Sequence, residues 1–345
     1  MTKNLLIKKS CSDYPVDYQF NGIDIVKFIC AFLVCAIHIQ PFNVELLGVE
    51  KLSYLNFGLQ QYLCRIAVPF YFTASGFLLF RKTEFINLNE SRIKSYCFKI
   101  LRLLGTWTLL LFVGGSAQLW YLGALVLAVI ILNVLIKKNI SMRWIVLISI
   151  ILYIIGLLGD SYYGFIEPLK NYFIPKLFIV GYETVFTTTR NGIFFGLIFV
   201  LLGAVFAQKR IVINDILAVI GLFISLIMML FEVYLLKRYS HPKDFNMVLS
   251  LLPVIFFLFY FATHLNLKNH SIYRSLRVIG MIVFFTHLFV NYFVALSIEI
   301  AKNKLGIDLS AFQFIITIFF TTILAVLVER LSKTNRFQWL KYLFS

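Results

Sequence analysis

The stretch NGIDIVKFICAFLVCAIHIQPF (residues 21–42) decides the fold. Asp24 and Lys27 stand near its start, and the run from Phe28 to Ile39 is apolar except for one His, His38. An apolar helix of about 20 residues crosses the hydrocarbon layer of a bilayer. Further apolar stretches run at 62–80, 100–115, 119–136, 144–159, 190–207, 214–235, 247–264, 276–298 and 311–329. Together they predict an all-α, polytopic transmembrane helical bundle of about ten spans. The third stretch is short and the GGSAQ turn behind it (114–118) is tight, so the third and fourth should form a helical hairpin.

Composition agrees. Of 345 residues, 60% are hydrophobic and 14% charged, against about 45–50% and about 25% in soluble domains. That excludes a soluble globular enzyme and a disordered chain. Five cysteines, Cys11, Cys30, Cys35, Cys64 and Cys97, give no CxxC pair, so neither a disulfide framework nor a zinc site is expected. The five His lack the spacing of a metal site. The first twenty residues do not read as a signal peptide but as an N-terminal tail.

A net charge of +16 would suggest a nucleic-acid partner in a soluble domain. Assigning loops alternately to two sides of ten spans sorts the charge differently: 22 of the 32 Lys and Arg fall on the side of the termini and 10 on the other. By the positive-inside rule both termini are then cytoplasmic, and no nucleic acid is implied.

Within the first stretch His38 lies eleven residues past Lys27, three turns plus about 20°, so the two share a helix face. At about 1.5 Å per residue His38 sits about 16 Å further along, near the middle of the membrane. Ionisable groups at that depth are costly and usually face an interior cavity where they act, although a neutral, hydrogen-bonded His is the plainer alternative. Asp24, three residues before Lys27, neighbours it on the helix and would balance its charge.

The segment RKTEFINLNESRIKSYCFKILRLLG (81–105) is the most basic of the chain. Lys94, Lys99 and Arg102 read either as topogenic charge beside anionic lipid or as a polyphosphate clamp. On the opposite side Arg65 opens RIAVPFYFTASGFLLFRK, where it either snorkels to the interface or binds a ligand. Trp120 lies at a membrane boundary, as aromatic-belt residues do. Arg190 and Asn191 open a helix, and a helix N-terminus favours an anion or a polar ligand. His287, ten residues past Arg277, reaches a similar depth to His38 and is read either as a packed core His or as a further site residue.

These pieces have a family look. GIDIVKFICAFLVCAIH, RIAVPFYFTASGFLL, KILR, LWYLGAL, TRNGIFFG and THLFV, in this order over roughly 20–340, resemble the membrane-bound acyltransferase family 3, which includes peptidoglycan and lipopolysaccharide O-acetyltransferases. TRNG and LWYLGAL are most similar to the membrane domain of the serine racemases of vancomycin resistance. The resemblance implies one acyltransferase domain over 21–345 behind a cytoplasmic tail at 1–20, ten spans, and a bacterial cytoplasmic membrane. It implies acetyl-CoA, or another acyl-CoA, at the cytoplasmic face, with no metal, and an envelope glycan or small-molecule acceptor arriving from outside. His38 matches the family's essential His. Lys27 stands where many members carry Arg, Lys99 and Arg102 match an Arg-x-x-Arg pair with Lys for one Arg, and Gln118 stands where the family usually has His.

On this resemblance His38 and Asp24 are the expected catalytic pair, with Lys27, Lys94, Lys99 and Arg102 on the donor's phosphates. Arg65, Trp120, Arg190 and Asn191 are expected on the acceptor. Two other classes stay open: a transporter or flippase of serine or an envelope precursor without covalent chemistry, and a membrane partner of a racemase.

Overall fold

The computed structural model describes residues 18–41, 50–81, 89–111, 117–209, 211–265 and 267–344. Residues 1–17 of the predicted tail, with Cys11, lie outside the described residues, as do the loop at 82–88 and most of the GGSAQ turn. Among the described residues every regular element is helical. In chain order they are α1 (Asn21–Ile39), α2 (Glu50–Gln61), α3 (Ala67–Phe80), α4 (Glu90–Leu110), α5 (Trp120–Lys137), α6 (Met142–Leu158), α7 (Phe173–Val185), α8 (Leu197–Gln208), α9 (Asp215–Tyr239), α10 (Leu251–His264), α11 (Ser271–Leu305) and α12 (Gln313–Leu331). A wider-wound turn, Gly192–Gly196, leads into α8, and a chain of tight turns, Asn335–Leu343, ends the described part.

Each of the ten predicted apolar stretches falls on a helix, but not every helix is a span by length and composition. Among the described residues six are long and apolar enough to cross a membrane, or seven if Met142–Leu158 and Tyr163–Asn171, bent by 79°, count as one. Gly192–Gln208 and Leu251–His264 are apolar but shorter. The basic residues Arg92, Lys94, Lys99 and Arg102 in α4 set that helix apart from the apolar spans. Two helices, α2 and the apolar but exposed α7, lie where no span is predicted.

Two helix pairs hold the centre. α1 and α11 run parallel, joined in the same order along both: Asn21 donates to Asn269 at 3.0 Å, Asp24 accepts from Arg277, and the His38 ring faces the His287 ring. An ion pair and a pair of imidazoles thereby join two distant segments at two levels. In the second pair, α3 and α8 touch backbone to backbone. A Cβ at Gly76 would strike the Val200 carbonyl oxygen, and one at Gly203 the Thr73 carbonyl oxygen. Helices in lipid gain stability from such close approach, because no hydrophobic force separates protein from tails. Gly203→Val should therefore force the pair apart, at about 1–3 kcal/mol of overpacking strain. The check is thermal unfolding in detergent, where a melting temperature equal to that of the parent protein would count against the close pair.

Local chemistry sets the helix ends near the site. Asn89 caps α4 by accepting from the Arg92 amide at 3.2 Å, and His270 caps α11 by accepting from the Ile272 amide at 3.1 Å. Each meets one of the orphan donors of a helix's first turn. Fixing the start of α11 fixes the height of Arg277 and His287 on it.

Candidate active site

Two cavities lie along α1. The first, about 230 Å3, is lined by Lys27, Tyr71, Ser75, Tyr96, Lys99, Tyr121, Arg277, Phe284 and Phe344 among others. Three of these are cationic, and they come from α1, α4 and α11. Lys27 is half-buried, with its ammonium 5.9 Å from the centre of the Tyr71 ring. The Tyr71 hydroxyl donates to the Lys27 carbonyl oxygen at 2.7 Å, which ties α3 to α1 at this level. The C-terminal segment closes the cavity: the Trp107 indole donates to the Leu343 carbonyl at 2.9 Å, and Phe344 forms part of the wall.

Asp24 is tied across to α11. It neighbours Lys27 on the helix, but both its oxygens accept from Arg277, at 2.7 Å from Nε and 2.6 Å from Nη2. Such a two-pronged pair is the strong form of a charge-assisted bond, and here it crosses from α1 to α11. Of the basic residues expected on the donor, Lys27 and Lys99 line this cavity. Lys94 is 80% exposed and pairs with Glu90 at 3.7 Å. The Arg102 guanidinium faces the Tyr342 ring, 5.3 Å from its centre, and is not part of the cavity wall.

The second cavity is smaller, about 40 Å3, with room for about three waters. His38, Arg65, Gln118, Trp120, Arg190, Asn246 and Phe284 line it. The interface reading of Arg65 fails, because the residue is 9% exposed and fully engaged. Its Nε donates to Gln61 at 2.9 Å, its Nη2 donates to Asp244 at 2.8 Å, and its Nη1 donates to Asn246. Arg190 donates to the same Asn246 oxygen at 3.2 Å, and its guanidinium lies 4.7 Å from the centre of the Trp120 ring. Asn246 in turn donates to Asp244 at 2.6 Å. Two guanidinium groups thus converge on one amide oxygen at the rim of the cavity that holds His38.

Asn191 stands apart. Its side-chain oxygen accepts from the Ile193 and Phe194 amides at 2.9 and 3.0 Å, so the helix start expected to take a ligand is capped by its own residue. His287, in α11, is fully buried, and its ring centre lies 5.3 Å from that of His38. Gln118 donates to the Phe285 carbonyl at 2.9 Å, while its side-chain oxygen is buried without a partner.

Phe284 lines both cavities. With Tyr71 and Tyr121, whose ring centres lie 5.6 and 6.0 Å from its own, it forms the aromatic wall between them. Sequence reasoning misses Arg277, Phe284, Asp244 and Asn246 as site residues. Arg277 has a usable signal, since it opens the apolar run that carries His287. Asp244 and Asn246 have none, being part of a polar segment between two spans.

Comparison with known proteins places the chain. The chain is 28% identical over 343 residues to an amino-acid racemase of Enterococcus faecalis, covering 91% of this chain and 45% of that protein. It is 29% identical over 318 residues to a serine/alanine racemase of Enterococcus gallinarum, covering 82% and 43%. The chain thus spans less than half the length of these curated relatives. No solved structure matches it. The model of a family described as an acyltransferase domain matches residues 20–330, from the start of α1 to the end of α12, and the chain belongs to that family.

Proposed function

We propose that this protein transfers an acyl group, in the simplest case acetyl, from acyl-CoA held at the Lys27 cavity to a hydroxyl or amine of an acceptor reached through the His38 cavity. The observation that carries this reading is the shared Phe284 wall, with cations on one side and an imidazole on the other. Lys27, Lys99 and Arg277 suit the donor's phosphates, and the apolar remainder of that cavity suits its thioester arm. Family membership supports the class of reaction.

In this mechanism His38 takes the proton of the acceptor hydroxyl as its oxygen attacks the thioester carbonyl. The carbon–sulfur bond breaks, the coenzyme leaves as thiolate, and His38 returns the proton to that sulfur. The products are acylated acceptor and free coenzyme thiol. The smaller cavity is the size of the reacting ends, so a glycan would present one hydroxyl to it and lie mostly outside. Arg65, Arg190 and Trp120 stand where they would meet the acceptor.

The charge bias supports cytoplasmic termini and a bacterial cytoplasmic membrane, with lipid around the apolar outer faces. Parallel α1 and α11 require an odd number of crossings between them, which agrees with the seven stretches between and with ten spans in all. The Lys27 cavity is then on the cytoplasmic side, where the donor is made.

Acetyl-CoA should raise the melting temperature of the purified protein, and Lys99→Ala should weaken that effect by about tenfold in ligand concentration, as loss of one phosphate contact does. Lys94→Ala, outside the cavity, should leave it unchanged. Equal responses from both variants would count against this donor site.

The names of the relatives favour a second reading, in which the Arg65 and Arg190 cavity handles a small amino acid such as serine or alanine without acyl transfer. Uptake of labelled serine into reconstituted vesicles, with no release of coenzyme thiol from acetyl-CoA, would support it over the first.

A further inference from the structure

His287 is a buried imidazole with one nitrogen committed and one bare. Its Nδ1 lies 2.9 Å from the Phe284 carbonyl oxygen and 3.3 Å from that of Val283. A carbonyl oxygen only accepts, so Nδ1 carries the proton and Nε2 carries the lone pair. That Nε2 is buried without a partner. A buried acceptor left unmet is unfavourable enough that most have a use. The neighbouring ring is His38, at 5.3 Å between centres and tilted by 33°. At that separation of ring centres, nitrogens turned toward each other come within hydrogen-bond reach.

We infer that His287 is a positioning residue for His38: its bare Nε2 accepts the N–H of the His38 ring and so fixes the tautomer that leaves the other His38 nitrogen free as base. The inference rests on the acyl-transfer reading of His38 and adds the group that orients it. A base oriented by a third group is the general pattern of activated nucleophile sites, but here the orienting group is a neutral imidazole. It therefore adds no second charge to a membrane interior that already holds Arg65 and Arg190 beside His38. The main chain of α11 supplies the outer link, since the Phe284 carbonyl fixes the His287 tautomer. When His38 holds the acceptor's proton, the bond to Nε2 becomes charge-assisted and strengthens. When that proton passes to the departing thiolate, the pair returns to its starting state.

The full chain, purified in detergent, is treated with diethyl pyrocarbonate, which adds to a bare imidazole nitrogen, and modification of His38 is tracked by mass spectrometry. His287→Phe, which removes the acceptor, should slow modification of His38 about tenfold, the size of one ordinary hydrogen bond. His287→Gln, whose side-chain oxygen still accepts, should stay within about threefold of the parent. His287→Met, a flexible filler, is read in the same way as Phe if that variant does not fold. Coenzyme thiol release from acetyl-CoA should fall in kcat by about 10–100-fold in His287→Phe with KM unchanged. Equal His38 reactivity in the parent and His287→Phe would overturn the inference, as would a loss in Gln as deep as in Phe. If the parent shows the His287-dependent reactivity but releases no thiol, the pairing stands and the transfer reading falls.

Discussion

Replacing His38 by alanine is expected to lower acyl transfer by at least about a thousandfold, within the range that a positioned general base contributes. The reason is placement. His38 is the only basic residue in the apolar part of α1, and it lies in the wall of the cavity beyond Phe284. The Lys27 cavity offers cations, which cannot take a proton from a hydroxyl. The His38 cavity offers two arginines already bound to Asn246, and arginine does not deprotonate in proteins. Among the described lining of this cavity His38 is the one imidazole. Truncation enlarges an existing cavity rather than opening a new one, so folding should survive. Thermal unfolding that matches the parent, together with loss of thiol release from acetyl-CoA, is the expected pair of results.

The second large effect concerns Asp24. Asp24→Ala should destabilise the fold by about 3 kcal/mol, the lower end of what breaking a buried pair costs, because Arg277 is 41% exposed and partly screened by solvent. The carboxylate is 6% exposed and holds the Arg277 guanidinium by two bonds. Removing it leaves Arg277, Lys27 and Lys99 around one cavity with no anion between them. Asp24→Leu combined with Arg277→Met should recover most of the loss, since replacing both partners by apolar groups is close to neutral. Unfolding in detergent reads both. A double variant as unstable as Asp24→Ala would show that the pair is not the cause.

How much of this is legible in the sequence depends on what each residue type says locally. The apolar stretches announce helices because each is apolar over several helical turns, and all ten fall on one. Lys27 and His38 announce a shared face because helical spacing is regular. What a face packs against is a different matter. Asp24 and Arg277 are 253 residues apart, and only the parallel run of α1 and α11 brings them together. The spacing on α1 points to Lys27 instead, which is the nearest cation in sequence but not the one Asp24 binds. Asn191 announces a helix start correctly, yet the same short side chain that marks such a start also fills it. Arg65 fits either role by sequence, and Asn246 decides, from a polar segment with no periodicity to read. The number of crossings is least legible, because α4 carries charge and α10 is short.

The central claim is that His38, acting as base, lets an acyl group pass from a donor on one side of Phe284 to an acceptor on the other. Its most direct measurement offers acetyl-CoA labelled in the acetyl group to the purified protein in vesicles, with peptidoglycan and serine as acceptors. Free thiol and labelled product are counted together for the parent and for His38→Ala. The account predicts equal amounts of both from the parent and neither above background from the variant. Thiol and labelled product at the same rate from both proteins would contradict it.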